Sequence, residues 1–345
     1  MAVASLSLDS SSAPATQLTD SHGRVIRDLR VSITDRCNYK CVYCRTGEVG
    51  ARYPELGIDE YLRLIRLFVS LGIEKVRLTG GEPLLRRGLL DLIHQLAQLR
   101  THAGERLDLA LTTNGHLLEE LAAPLKAVGL NRVTVSMDAV DEPTFERLTR
   151  VPGSYARVLR GIRAARAAGL APLKINCVLL RGFNDGQVEG FAAFAREEDV
   201  AVRFIEFMPL EEGRLWSPDV VVPMAEIVER IQRVAPLQPL PARDAAETAR
   251  RFGFASGRGE IGMIAPVTQA FCGACSRVRL TSDGKIRTCL FSQIEHDLYG
   301  RMRSGEPDEA LRAYIAQTVQ GKEARHHIGE PGFLKPSRSM VHIGG

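Results

Sequence analysis

The sequence lacks the long apolar run that a membrane-spanning helix requires. No stretch of about 18 consecutive apolar residues, the usual minimum for a spanning helix, occurs in its 345 residues. A strong charge of one sign is also absent, because 45 Lys and Arg face 41 Asp and Glu for a formal net charge of +4. The chain therefore has no global field that would attract nucleic acid or a membrane surface, and we expect neither as a partner.

Positive charge is missing altogether from residues 1–22, which are rich in Ser and Ala. A secretory signal needs a positively charged start and a transit peptide is rich in Arg. We therefore predict that residues 1–22 form a disordered tail. The whole chain, with 45% hydrophobic and 25% charged residues, has the composition of a globular protein of one or two domains.

Cysteine is scarce, yet six of the seven cysteines form two groups of three: Cys37, Cys41 and Cys44, then Cys272, Cys275 and Cys289. Without an export signal, such groups indicate metal ligation in a reducing cytoplasm rather than disulfides. A structural zinc site takes four protein ligands, whereas a four-iron cluster on three thiolates keeps one iron open for another molecule. Two such groups suggest one site for a cofactor and another for a substrate.

Short apolar strands alternate with amphipathic helices between about residues 29 and 208. The predicted strands are Leu29–Thr34, Lys75–Thr79, Leu107–Thr113, Arg132–Met137, Leu173–Leu180 and Val200–Phe207. This alternation predicts an α/β fold with a parallel sheet, and six strands are too few for the closed eight-stranded barrel. We expect a partial barrel over residues 23–235. A Pro-, Ala- and Arg-rich connector then leads to a second domain, residues 236–345, that holds the second cysteine group.

Function in parallel sheets is concentrated at the carboxyl ends of the strands. The first cysteine group follows the first predicted strand, and the sequence Gly80-Gly81-Glu82-Pro83 follows the second. Two glycines allow a close approach of backbone to a ligand, and Glu82 can accept hydrogen bonds from an ammonium group. A zinc site completed by His22 or by a ligand elsewhere is the alternative.

The C-x3-C-x2-C and GGEP motifs together resemble the radical S-adenosylmethionine (SAM) superfamily. The resemblance implies that the first cysteines hold a [4Fe–4S] cluster whose open iron binds SAM, and that reduction cleaves SAM to a 5′-deoxyadenosyl radical. The sequence differs from many relatives in having Cys44-Arg45-Thr46 in place of Cys-Met-Pro. The SAM-binding residues implied by the resemblance are Tyr43, Gly80, Gly81, Glu82, Ser136 and Met208.

The sequence around the second cysteine group is more discriminating. FCGACSRVRLTSDG at residues 271–284, with Cys289-Leu290, strongly resembles the C-terminal motif of the GTP 3′,8-cyclase (MoaA) family of molybdenum cofactor biosynthesis. The similarity extends from IRDLR at residues 26–30 through RFIEFM at 203–208 to the final Gly-Gly. It implies a partial (β/α)6 TIM-like barrel of the radical SAM type and a C-terminal α+β domain with a second [4Fe–4S] cluster.

This second resemblance also implies the reaction and its participants. The second cluster would hold the guanine of GTP while the 5′-deoxyadenosyl radical takes the ribose 3′ hydrogen. The resulting C3′ radical would attack C8, and reduction would then give 3′,8-cyclo-7,8-dihydro-GTP. A reductant protein would supply electrons, cyclic pyranopterin monophosphate synthase would receive the product, and a homodimer is left open. The implied catalytic residues are Arg277, Arg279, Gly344 and Gly345, and the implied GTP-binding residues are Arg30, Lys75, Arg77, Thr112, Lys174, Arg203, Arg277 and Arg279.

The distribution of cations agrees with an anionic substrate. Strands covered by helices should be almost entirely apolar, yet five of the implied GTP-binding cations lie on or beside predicted strands. Charges that point into a barrel are costly unless an anion pairs with them, and arginine forks suit phosphate oxygens. Surface exposure, or ion pairs with Glu74 or Glu206, is the alternative for any single cation.

Two other functions remain open. A peptide-modifying radical SAM maturase would carry an auxiliary cluster, but such enzymes typically have more cysteines in the C-terminal region. A metal-stabilised binding protein with two structural zinc sites would leave the GGEP motif and the cations unexplained. The seventh cysteine, Cys177, lies on a predicted strand and is expected to be a buried apolar residue, whereas His326, His327 and His342 are expected to be exposed.

Overall fold

Six parallel strands in chain order form the centre of the protein. The computed structural model describes residues 17–45 and 50–344. The central strands are β1 (Asp28–Ser32), β2 (Lys75–Thr79), β3 (Asp108–Thr113), β4 (Arg132–Ser136), β5 (Lys174–Leu179) and β6 (Ala201–Glu206). Each is hydrogen-bonded to the next in parallel. All six lie where the sequence predicts, and their ends differ from the predicted ends by no more than two residues.

Helices cover the outer face of this sheet because their apolar residues recur at helical spacing. In the first helix, Tyr61, Leu64, Ile65 and Phe68 are each fully buried, which is the i, i+3, i+4, i+7 pattern of an amphipathic helix. The helices of the barrel are α1 (Ile58–Val69), α2 (Leu89–Ala97), α3 (Leu118–Ala127), α4 (Glu142–Thr149), α5 (Ser154–Ala167), α6 (Val188–Glu197) and α7 (Met224–Val234). None of the described helices is long and apolar enough to cross a bilayer.

The C-terminal third of the chain extends the sheet at both edges. On the β6 edge lie β9 (Glu260–Ile264), β8 (Arg250–Phe254) and β7 (Leu237–Leu240), and on the β1 edge lie β10 (Arg277–Leu280), β11 (Lys285–Arg287) and β12 (His296–Asp297). Both β9 and β10 run parallel to the strand they join. The remaining helices are α8 (Leu298–Arg303), α9 (Asp308–Gln320) and α10 (Met340–Ile343).

The resulting twelve-stranded sheet, within the described ranges, runs from β12 at one edge to β7 at the other. The sheet is not closed, so the fold is the α/β partial barrel that the sequence predicts. The predicted domain boundary near residue 235 falls between α7 and β7. Strands from both sides of that point belong to the same sheet, and the division into two domains stays a prediction.

Residues 17–22 correct the prediction of a disordered tail over residues 1–22. Leu18 is buried, its amide donates to the carbonyl of Leu71 at 3.1 Å, and Thr19 forms a β-bridge with Val25. These contacts form because an apolar side chain and a short hairpin dock against the end of α1. Residues 1–16 lie outside the described residues.

Candidate active site

One cavity of about 320 Å³ runs through the barrel, and both cysteine groups line it. The first group follows β1 and lies at the carboxyl ends of the central strands. The second group brackets β10 and β11: Cys272 and Cys275 precede β10, which is parallel to β1, and Cys289 follows the antiparallel β11. The second group therefore lies towards the amino ends of the strands. The expectation that function is concentrated at the carboxyl ends accounts for the first group only.

The first cysteines lie in a loop whose backbone is fixed on both sides. The amides of Lys40 and Val42 donate to the carbonyls of Thr149 and Leu148 at 3.1 and 3.0 Å, which ties the loop to the end of α4. Cys37 Sγ accepts hydrogen bonds from the amide of Tyr39 at 3.4 Å and from Asn114 Nδ2 at 3.9 Å. The loop thus presents its sulfurs to the cavity in a fixed arrangement.

Burial raises the thiol pKa values at this end of the cavity. The pKa of Cys37 is raised to about 11, with the carboxylate of Glu82 adding to the effect of burial. The pKa of Cys44 is raised to about 12 and that of Cys41 well above its ordinary value. Such thiols ionise only when a bound metal supplies positive charge, and an all-thiolate donor set suits an iron–sulfur cluster.

The glycines of the GGEP turn allow β2 to pack against the cysteine loop. Gly80 has φ +151°, and a Cβ atom there would collide with the carbonyl oxygen of Thr34, while a Cβ on Gly81 would collide with that of Arg36. The Gly81 amide donates to the same Thr34 carbonyl at 2.8 Å. Both glycines line the cavity, and their contact with SAM stays a prediction. The structure adds that they are also needed to bring the two loops together.

Glu82 lies beside the cavity but does not line it. Its fully buried carboxylate accepts hydrogen bonds from the Leu84 amide at 3.0 Å, from Thr113 Oγ1 at 2.7 Å and from the Asn114 amide at 2.7 Å. Burial raises its pKa to about 7 in spite of these donors. In this conformation Glu82 braces β2 against β3, so the sequence interpretation of a carboxylate facing an ammonium group is not what the structure shows.

Three other predicted SAM-binding residues, Tyr43, Ser136 and Met208, line the cavity, Tyr43 from within the cysteine loop, and Ser136 and Met208 from the end of β4 and just beyond β6. The Tyr43 hydroxyl donates to Asp138 Oδ2 at 2.5 Å, and Asp138 Oδ1 accepts from the Val178 amide at 2.8 Å. Burial raises the pKa of Asp138 to about 6. Sequence reasoning assigned no role to Asp138, although its place just after β4, at the carboxyl end of a strand, was a usable signal.

Three arginines form a row across the middle of the cavity. Arg30 of β1 is in register with Arg77 of β2 on one side and with Arg279 of β10 on the other, and all three line the cavity. Arg77 Nη1 donates to Thr112 Oγ1 at 3.1 Å and to Thr134 Oγ1 at 3.2 Å. Burial and mutual repulsion lower the pKa of Arg30 to about 10 and that of Arg77 to about 9. This row is a site of uncompensated positive charge.

Two more predicted cations lie close to this row. Arg203 lines the cavity, its nearest carboxylate is that of Glu247 at 3.9 Å, and its buried Nε has no hydrogen-bond partner among the described residues. Lys174 is buried without lining the cavity. Burial and the charges of Arg203 and its neighbours lower the pKa of Lys174 to about 7.

Lys75 is the exception among the predicted GTP-binding residues. Its side chain is 37% exposed and pairs with Asp244 at 3.5 Å, and it does not line the cavity. Lys75 is the first residue of β2 and lies on the same face of the strand as Arg77, two residues later. Its position at the start of the strand puts its side chain at the amino end of the barrel, where solvent reaches it. Its surface exposure agrees with the alternative interpretation, although its partner is Asp244 rather than Glu74 or Glu206.

The second cysteine group is surrounded by positive charge. Arg277 Nη2 donates to Cys275 Sγ at 3.4 Å. Burial alone would raise the pKa of Cys275, but the charges of Arg277 and Lys322 outweigh it and lower that pKa to about 7. Cys289 Sγ accepts from the Phe291 amide at 3.5 Å. All seven cysteines are free thiols. Within residues 17–45 and 50–344, no group of three or more His, Cys, Asp or Glu converges closely enough to hold a single metal ion.

The C-terminal end of the chain reaches the arginine row from the carboxyl ends of the strands, because a Cβ on Gly344 would meet Thr79 and Ser32, the last residues of β2 and β1. The Gly344 carbonyl oxygen accepts a hydrogen bond from Arg279 Nη1, although Gly344 does not itself line the cavity. Gly345 lies outside the described residues, as does Thr46. Cys177 is fully buried, which confirms its prediction. The prediction of exposed histidines was wrong for His342, which is 1% exposed, and for His326, which is half-buried and lines the cavity.

Sequence comparisons divide the chain as its two cysteine groups do. Residues 31–195 match the radical SAM superfamily model, and residues 200–328 match the molybdenum cofactor synthesis C model. A GTP 3′,8-cyclase of Acidothermus cellulolyticus is 45% identical over 88% of this chain and 84% of its own length. One of Moorella thermoacetica is 42% identical over 95% of this chain and 100% of its own length.

Structural comparison supports the fold. SuiB of Streptococcus suis, solved with its precursor peptide SuiA, has a TM-score of 0.61 and covers 87% of this chain and 67% of its own length at 15% identity. Its structure bound to SAM has a TM-score of 0.57. At such low identity the likeness concerns the fold alone. Taken with the cyclases, which match nearly end to end, these findings show that the chain belongs to the GTP 3′,8-cyclase family of the radical SAM superfamily.

Proposed function

We propose that this protein is a GTP 3′,8-cyclase with a [4Fe–4S] cluster at each end of its cavity. Cys37, Cys41 and Cys44 hold the cluster that binds SAM, which membership of the superfamily implies, and the three cysteines of the second group hold another that anchors guanine. One observation carries the proposal: both cysteine groups line a single cavity with the arginine row between them. A molecule that spans the cavity meets a cluster site at either end and positive charge in the middle.

The arginine row is suited to the triphosphate. Arg279 is buried and Arg30 and Arg77 are half-buried, so the repulsion among these neighbouring cations is relieved when an anion binds among them. Planar guanidinium forks bind phosphate oxygens in pairs. Arg203 has an unpaired Nε that would otherwise remain without a partner, and Lys174 adds a further charge from β5. Thr112, which already accepts from Arg77, orients that guanidinium.

At the first end of the cavity, the chain itself positions SAM. The ring of Tyr43 is fixed by Asp138, and Gly80, Gly81, Ser136 and Met208 complete the wall. When bound, the first cluster and SAM supply a 5′-deoxyadenosyl radical that takes the ribose 3′ hydrogen, leading to 3′,8-cyclo-7,8-dihydro-GTP. The protein contributes orientation and the exclusion of water.

The groups implied as catalytic, which extend from the second cysteine group across the arginine row, act by position and charge. Arg277 donates to Cys275 and Arg279 donates to the Gly344 carbonyl, so the C-terminal residues are fixed against a guanidinium that lines the cavity. With Gly345 beyond them, these residues form a backbone finger that orders the substrate as it cyclises.

The reaction requires partners and a compartment that we also propose. A reductant protein delivers electrons to the clusters, and cyclic pyranopterin monophosphate synthase takes up the product. The seven free cysteines are consistent with a reducing cytoplasm. A homodimer remains part of the proposal, to be tested by the mass of the protein in solution.

The proposal is tested by 5′-deoxyadenosine formation from SAM by anaerobically reconstituted, reduced protein, with and without GTP. Strong stimulation by GTP is expected, because bound substrate fills the cavity and presents the hydrogen atom that the radical takes. SAM cleavage at the same rate with and without GTP would support the radical chemistry but would contradict GTP as the substrate. Absence of cleavage with iron and sulfide bound would reject both.

A further inference from the structure

Lys322 is a buried cation at the second cysteine group, and the proposed reaction assigns it no role. It lies two residues after α9, is 4% exposed and lines the cavity. Its Nζ donates to the carbonyl oxygen of Thr288, the residue that precedes Cys289. The ammonium is therefore held against the backbone that presents one of the three sulfurs.

The turn that carries Lys322 is fastened to the same group from another side. Arg24 Nη1 donates to the carbonyls of Cys272 and Ala324, both at 2.9 Å, and its Nη2 donates to that of Glu323 at 2.6 Å. Asp20 holds this guanidinium through a 2.6 Å ion pair with Arg24 Nε. The hairpin near residue 20 thus fixes the turn relative to Cys272, and the position of Lys322 follows.

Lys322 has no carboxylate within 4.0 Å among the described residues of the chain. The adjacent carboxylate of Glu323 accepts from Thr288 Oγ1 at 2.8 Å. Burying an unpaired ammonium is costly, so its counter-charge is expected in the cavity itself. Lys322 lines the same cavity as Cys275 and Cys289, and its contact with the Thr288 carbonyl places its charge beside the backbone of Cys289.

We propose that Lys322 stabilises the negative charge of the second cluster and its thiolates, and so raises the reduction potential of that cluster selectively. A fixed positive charge in a medium of low dielectric favours the more negative, reduced state. The inference rests on the proposed function, since it assumes a cluster at Cys272, Cys275 and Cys289. The first cluster, at the opposite end of the cavity, is left unaffected.

The experiment compares K322Q with K322R in the full-length, anaerobically reconstituted protein. Gln can still donate to the Thr288 carbonyl but carries no charge, whereas Arg keeps the charge. K126Q is the matched control, because Lys126 Nζ also donates to a backbone carbonyl, that of Gly169 at 2.8 Å, but on the exposed side of α3. Each cluster is followed by redox titration monitored by electron paramagnetic resonance. The signal of the second cluster is assigned in protein lacking the three cysteines of the first group.

We expect K322Q to shift the second-cluster midpoint to lower potential, or to lose that cluster alone, while K322R and K126Q match the parent protein. An unchanged midpoint in K322Q would overturn the role of the charge. Equal loss of the cluster from K322Q and K322R would do so too, because packing would then be the cause. If the parent protein binds iron for one cluster only, the proposed second cluster fails, and the inference fails with it.

Discussion

The two ends of the cavity have the same number of cysteines and opposite electrostatic surroundings. At the first end, burial and the carboxylates of Glu82 and Asp138 raise the thiol pKa values. At the second end, Arg277 and Lys322 lower the pKa of Cys275 to about 7, although burial raises the pKa of Cys289. Of the two carboxylates at the first end only that of Asp138 lines the cavity, whereas at the second end Arg277 and Lys322 both line it. Equal ligand counts therefore do not mean equal tasks.

The two ends also differ in how the chain builds them. The first is a single loop between β1 and α1, packed on the turn after β2. The second is assembled from the start of β10, the end of β11 and the turn after α9, with Arg24 joining them from the other end of the sequence. A change within one end is therefore expected to leave the other intact, and this independence can be tested.

The largest expected effect is that of Cys37→Ala. Removing one of three thiolates from the first group should abolish SAM cleavage, since the open iron that binds SAM is lost with the cluster. Cys177→Ala is the control, because that fully buried cysteine lies on β5 outside both groups. Product analysis after reduction measures 5′-deoxyadenosine, and cleavage retained in Cys37→Ala would remove the first group from the radical chemistry.

Cys275→Ala should give the converse result. If the second end anchors the substrate as proposed, this variant should still form some 5′-deoxyadenosine but lose the cyclised nucleotide. Chromatography of the same reaction mixtures quantifies both products. Undiminished cyclisation would show that the second group has no part in substrate binding, and loss of SAM cleavage as severe as that in Cys37→Ala would contradict the independence of the two ends.

Much of the first end could be predicted from the sequence, because its signals are local. The strands were found within two residues from their apolar patterns, and the cysteine spacing and the glycines lie in short continuous motifs. The direction in which a side chain of the motif points could not be predicted. Glu82 belongs to the GGEP motif, yet its carboxylate accepts hydrogen bonds from residues at the end of β3. Sequence spacing does not tell whether a carboxylate at a strand end faces the cavity or the neighbouring strand.

The second end was predicted less completely because its parts are distant in sequence. Arg277 and Arg279 were recognised beside the cysteines, but Lys322 and Arg24 carry no motif of their own and are identified only by burial and contacts. Lys75 shows the opposite error. Lys75 shares a strand face with Arg77. Whether such a residue reaches the cavity or solvent also depends on its position along the barrel axis, which is set by the register between neighbouring strands.

A smaller effect should distinguish the glycines of the two ends. Gly81→Ala places a Cβ against the Arg36 carbonyl, whereas a Cβ on Gly273, between the second cysteines, meets nothing within 4 Å. We expect Gly81→Ala to destabilise the protein by about 1–3 kcal/mol, the usual cost of overpacking, and to lower occupancy of the first cluster. Gly273→Ala should be close to neutral. Denaturant unfolding and iron content measure both effects, and equal stability of the two variants would contradict this account of the GGEP turn.

The smallest expected effect concerns the cations between the two ends. Burial and neighbouring arginines lower the pKa of Lys174 to about 7, so above that pH most of the free protein has this amine neutral. A triphosphate bound beside Arg77 and Arg203 supplies negative charge, which favours the ammonium and raises the pKa again. GTP binding at pH 8 should therefore take up a fraction of a proton, and less uptake is expected at pH 6, where Lys174 is already charged.

Calorimetry in buffers of different ionisation enthalpy measures this uptake directly. Lys174→Met should abolish it, whereas Lys75→Met should retain it, because Lys75 pairs with Asp244 outside the cavity. Guanosine should bind without the uptake, since it brings no phosphate charge. If GTP binding takes up no proton at pH 8, the phosphates lie too far from Lys174 to raise its pKa. The triphosphate would then have to lie nearer to Arg30 and Arg279.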